Sequence, residues 1–176
     1  MKKIVLPAFI LFSILFIASC TKTQLRPVEN NLQDFTIPAN RDASFTAMLS
    51  VAQAMGLQVD VIEKASGLIQ FKNTALSPIQ LDKYCHYPVI KSEGGAPFST
   101  YTEWNTRSLE GKGGAVAGTA TITLLTSDDG TNTRVSMRSK WVVGNLAISY
   151  ECQSKNVLEE DFKKTVLDVV RRARNK

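Results

Sequence analysis

Between Thr119 and Cys152, apolar and polar residues alternate with a period of two. Ala120, Ile122 and Leu124 alternate with Thr119, Thr121 and Thr123. In the next run Val135, Met137 and Trp141 share one face, while Arg134, Arg138 and Lys140 share the other. Leu146, Ile148 and Tyr150 then alternate into Cys152. Asp129-Gly130 is a strong hairpin turn, and Gly144-Asn145 is a second tight turn. Successive side chains on a strand point to opposite faces. These runs therefore predict an antiparallel meander with one apolar face and one wet face. The apolar face must be covered by another layer.

Two helical stripes suit that layer. Phe45, Met48, Leu49, Ala52 and Met55 recur at spacings of three and four. Asn40 or Asp42 can cap this helix, and Gly56 can stop it. Near the end of the chain, Leu158, Phe162, Val166, Val169 and Ala173 form a second stripe. Asn156 with Glu159 offers a capping arrangement. Glu159, Glu160 and Asp161 sit in the first turns, and Arg171, Arg172, Arg174 and Lys176 in the last, so the charges complement the helix dipole. That dipole reading explains the acidic cluster better than a metal site does. The basic end reads as a solvated tip ahead of a contact with lipid phosphates or a protein.

Shorter elements complete the layout. Gln33–Ile37 alternates and is stopped by Pro38. Leu57, Val59 and Val61 predict one face of a half-buried strand. A turn over Lys64–Gly67 returns the chain as Leu68–Lys72, with Ile69 and Phe71 on one face. Ser77-Pro78 opens one or two helical turns that deliver Cys85. Lys91–Ser99 is a Gly/Pro/Ser loop, and Thr100–Leu109 carries strand signals. The expected fold is α+β: two layers, a mostly antiparallel sheet packed on one face by an N-terminal and a C-terminal helix.

The N-terminus reads as a secretory signal, with Lys2 and Lys3 ahead of an apolar run from Ile4 to Ala18. That run is shorter than the ~20 residues of a spanning helix. Its last residues, Ile17-Ala18-Ser19-Cys20, resemble the lipobox of bacterial lipoproteins. The resemblance implies cleavage after residue 19 and acylation of Cys20, and several acyl chains give stable anchoring. It divides the chain into a signal peptide (1–19), a lipidated tether (20–32) and one α+β domain (33–176). Thr21, where an Asp would retain the protein at the inner membrane, implies an outer membrane address facing the periplasm. The full chain carries a net charge of +5, and losing Lys2 and Lys3 with the leader leaves +3. So mild a basicity argues for no nucleic-acid partner and permits weak attraction to anionic head groups.

An exported chain folds in an oxidising compartment. With Cys20 acylated, Cys85 and Cys152 remain, and a disulfide between them is the simplest account. The rival reading makes Cys85, beside His86, a reactive thiol. Adjacent strand residues point apart, so adjacency is poor support for a Cys–His dyad.

The order strand, helix, Gly, strand, turn, strand over Phe35–Phe71 resembles envelope lipoproteins with a BamC-like, helix-grip domain. Phe45, Leu49, Gly56, Val59, Gly67, Leu68 and Ile69 carry the resemblance. It covers under a third of residues 20–176 and consists of core and turn residues. In BamC itself two such domains follow a long partner-binding segment, whereas this chain has room for one domain and a short tether.

Residues that carry chemistry are sparse. A single histidine, His86, excludes His-based zinc sites and a HExxH motif. No G-x-S-x-G elbow is present. Gly111-Lys112-Gly113 lacks the remainder of a phosphate loop, and Asp128-Asp129-Gly130 is too short a ligand set for a calcium loop. No enzyme activity, cofactor or metal is expected. Loops on rigid scaffolds carry binding surfaces, which points to Phe98, Tyr101 and Trp104. The expected function is a membrane-anchored, non-catalytic accessory module of an envelope assembly, with the bilayer and an envelope protein as partners. The alternative is a binding domain for a small apolar ligand held between helix and sheet.

Overall fold

Asp129-Gly130 joins the two longest strands. The computed structural model describes residues 24–25, 32–87, 89–92, 100–103, 115–145 and 149–175. In chain order the elements are β1 (Gln24–Leu25), β2 (Leu32–Ile37), α1 (Arg41–Ala54), β3 (Gln58–Glu63), β4 (Leu68–Leu76), α2 (Pro78–Tyr84), β5 (Cys85–His86), β6 (Val89–Ser92), β7 (Thr100–Glu103), β8 (Ala117–Asp128), β9 (Thr133–Gly144), β10 (Ser149–Ser154) and α3 (Val157–Arg174). Two compact units result. In the smaller, β1, β6 and β7 form a three-stranded antiparallel sheet. The larger unit holds all the other elements.

The larger unit is α+β. Its seven strands run in the order β3-β4-β8-β9-β10-β5, and β2 also pairs with β9. All these pairs are antiparallel. One edge of β9 is shared. β8 lines its full length on one side, from Thr133 to Gly144. On the other side β2 takes Thr133 to Arg138 and β10 takes Trp141 to Gly144.

Alternation decides what the sheet buries. Ala120, Ile122 and Leu124 of β8 face inward with Val135, Met137, Trp141 and Val143 of β9. The helices cover that face with Phe45, Met48, Val51 and Ala52 from α1 and with Leu158, Phe162, Val166 and Val170 from α3. The Phe71 and Phe162 rings meet at 6.0 Å between centroids. Val170, rather than Val169 or Ala173, is the buried residue near the end of α3, so the buried positions there recur at spacings of four.

Local signals set the boundaries. Asn40 caps α1, its side-chain oxygen accepting from the Ala43 N–H at 3.0 Å. Ser77 and Gln80 cap α2 reciprocally, with Pro78 at its first position. In the β8–β9 turn the Asp129 carboxylate accepts the backbone N–H groups of Asn132 (2.7 Å) and Thr131 (3.0 Å). These two bonds, Asn132 first, lower its pKa from 3.8 to about 2. The turn's contribution is therefore complete above pH ~3.8 and is lost as pH falls through about 2.

Two glycines mark close approaches. At Gly118 a Cβ would lie 2.3 Å from Leu81, so α2 sits directly on β8 there. Gly67 has φ +79°, and a Cβ would lie 2.3 Å from the Thr126 carbonyl oxygen. The Gly67 carbonyl accepts both the N–H and the hydroxyl of Thr126. Gly67→Ala combines left-handed strain with a backbone clash and is expected to cost about 2 kcal/mol or more. Urea unfolding monitored by Trp141 fluorescence checks this; an unchanged midpoint would contradict the packing at the β3–β4 turn.

Candidate interaction surface

β3 is the terminal strand of its sheet, and all six of its residues are exposed. Its register against β4 breaks between Val59 and Val61. The extra residue, Asp60, is a β-bulge, and it reverses the facing of the residues after it. Val59 lies opposite Phe71 and Ile62 opposite Ile69, on the helix-covered side. Val61 lies opposite Gln70, on the outer side. The common face expected for Val59 and Val61 is therefore absent. With no strand beyond them among the described residues, Val59, Val61 and Ile62 are 48%, 39% and 43% exposed.

The outer face adds to this corner. Leu125 of β8 is 53% exposed and stands opposite Leu68 of β4. Two carboxylates punctuate the strand. Asp60 accepts from Gln70 Nε2 at 2.8 Å, and Glu63 accepts from the Ser66 hydroxyl at 2.8 Å. Arg41, at the start of α1, donates to the carbonyls of Lys64 and Ala65 and fixes the turn that ends β3.

Open hollows lie elsewhere among the described residues of this unit. One, of about 300 Å³, is lined by Pro38, Leu167, Arg171, Arg174 and Asn175. Another, of about 350 Å³, sits over small residues at the ends of β8, β9 and β10, including Ala117, Gly118, Gly144 and Ser149. Among the described residues, Met48, Ile69, Phe71, Ile122, Leu124, Met137, Trp141 and Phe162 pack the space between helices and sheet and are all fully buried.

Glu159 departs from its expected role. It is buried and reaches inward at the point where the edge of β9 passes from β2 to β10. Its Oε1 accepts from the Ser139 hydroxyl, from Trp141 Nε1 at 3.2 Å and from the Ser154 hydroxyl at 2.6 Å. Asn156 adopts left-handed backbone (φ 62°) and makes no side-chain cap. Its N–H donates instead to Ser154 Oγ at 3.0 Å. The capping pair expected from Asn156 and Glu159 is thus replaced by a carboxylate that binds α3 to β9 and β10. The signal lay in the inward positions of Ser139 and Ser154, two hydroxyls on apolar faces.

Cys85 and Cys152 form a disulfide with 5.7 Å between Cα atoms, within the ordinary range. Both are buried, and His86 is exposed on the two-residue strand that Cys85 begins. Cys20, Phe98 and Trp104 lie outside the described residues; Tyr101 falls on β7. Among the described residues no three His, Cys, Asp or Glu side chains are placed to hold a metal ion, and no helix is long and apolar enough to cross a membrane. No protein-family model matches the chain, and neither does any curated protein.

Proposed function

We propose that this chain is a lipid-anchored envelope protein whose folded part acts as a non-catalytic interaction module of a larger assembly. The observation that carries the reading is the exposure of Val59, Val61 and Ile62 along β3, the terminal strand among the described residues. Large apolar side chains left half exposed along one edge strand mark contact with another macromolecule. The filled space between helices and sheet favours this reading over a small apolar ligand, which would need a cavity of several hundred Å³. The anchor rests on Ile17-Ala18-Ser19-Cys20. Acylation there holds the domain within a short tether of the bilayer, where a local partner is at high effective concentration.

Two measurements test the proposal. Cells labelled with radioactive palmitate are expected to incorporate it into the wild-type protein and not into Cys20→Ala. Label retained in the variant would remove the anchor. Cross-linking in native membranes, then purification with Cys20 intact, is expected to bring down a stoichiometric protein partner. Reproducible recovery of the protein alone would end the accessory-module reading.

A further inference from the structure

We infer that the free edge of β3 receives an extended segment of a partner protein, apolar toward the helix side and carrying Lys or Arg toward the outer side. The inference rests on the interaction-module reading and specifies where and what that module binds. A terminal strand presents a row of backbone N–H and C=O groups without strand partners, which an incoming strand can satisfy. Natural edges are protected by charge, by bulges or by covering elements. β3 has the bulge at Asp60 and two carboxylates, yet it leaves three large apolar side chains about half exposed. Protection against every partner would not keep them.

The facing pattern specifies the partner. Val59 and Ile62 project on the helix-covered side, so the partner places apolar side chains there. On the outer side Val61 lies between Asp60 and Glu63. The strand Gln58–Glu63 itself holds two carboxylates and no cation; Lys64 follows in the turn, where Arg41 donates to the Lys64 and Ala65 carbonyls, and Lys72 lies opposite Gln58 on β4. Cross-strand pairs of opposite charge stabilise by roughly 0.2–1 kcal/mol, and like charges repel. A second copy of β3, laid antiparallel on the first, would bring Asp60 and Glu63 of both chains to one seam. The edge therefore disfavours self-pairing and favours a basic strand.

The test uses the full-length, acylated protein in its native membranes. A photoreactive benzoylphenylalanine is placed at Val59, at Ile62 or, as a control away from the edge, at Ile79, which is 82% exposed. Illumination is expected to cross-link the two β3 positions, and not position 79, to a partner segment holding at least one Lys or Arg within three residues of the linked site. Asp60→Lys/Glu63→Lys is expected to lower that yield at least tenfold, and Asp60→Asn/Glu63→Gln, which keeps acceptors for Gln70 and Ser66, to lower it with an unchanged unfolding midpoint. Links only to a second copy of this chain, a captured segment without Lys or Arg, or silence at both β3 positions would overturn the inference. If β3 is silent while general cross-linking still recovers a partner, only the edge assignment fails. If no partner is recovered by either route, the interaction-module reading fails with it.

Discussion

Glu159→Ala is expected to lower folding stability by about 3 kcal/mol or more. The carboxylate gathers three donors, the hydroxyls of Ser139 and Ser154 and the indole N–H of Trp141, in a site closed to water. Removing it strands buried donors, each at a cost of roughly 1–3 kcal/mol, and opens a void beneath the first turn of α3. It also takes negative charge from the positive end of the helix dipole, which is worth less. Glu159→Gln keeps an acceptor in place and is expected to lose clearly less. Ser139→Ala removes one donor and should fall near ~1 kcal/mol, while Ser154→Ala also strands the Asn156 N–H and should cost more. Urea unfolding of the four variants checks the order. A loss under about 1 kcal/mol for Glu159→Ala would mean that the carboxylate does not hold α3 to the sheet.

Removing the disulfide is expected to cost a similar amount by another route. Cys85 and Cys152 are 67 residues apart, and closing a loop of that length restricts the unfolded chain by about 4 kcal/mol in the chain-entropy treatment. Its loss should act first on the short strand β5, whose pairing with β10 is limited to His86 with Gln153 and Cys85 with Ser154. The Lys155 N–H donates to the Tyr84 carbonyl at 2.8 Å and Lys155 Nζ to the Asp82 carbonyl at 2.7 Å, so α2 keeps some hold without the bond. Cys85→Ala/Cys152→Ala, compared with the wild type with and without reductant, checks the prediction. Two free thiols after alkylation without reductant would refute the bridge itself.

The elements with strong local signals were legible from the residues. The β8–β9 hairpin follows from alternation around Asp129-Gly130, and α1 and α2 begin at Asn40 and Ser77 as their caps require. Features that depend on register between distant segments were not legible. The bulge at Asp60 arises only when β3 is laid against β4, and it alone separates the facing of Val59 from that of Val61. Glu159 has the sequence context of an ordinary first-turn acid. Its burial follows from β9 changing neighbours beside Ser139, which no periodicity within α3 announces. The division of β9 between β2 and β10 was equally hidden, because it joins residues about a hundred positions apart.

That division has a consequence for the order of assembly. Asp34 of β2 is bonded to Ser136 of β9, 102 residues later. Synthesis runs from the N-terminus, so β2 emerges long before the strand that will receive it. Until β9 is made, Phe35 and Ile37 lack the strand they pair with. Pairing across so long a separation is slow, and the waiting segment is open to wrong partners. Strand β2 is therefore expected to stay unpaired, and open to non-native contacts, until the β8–β9 hairpin forms.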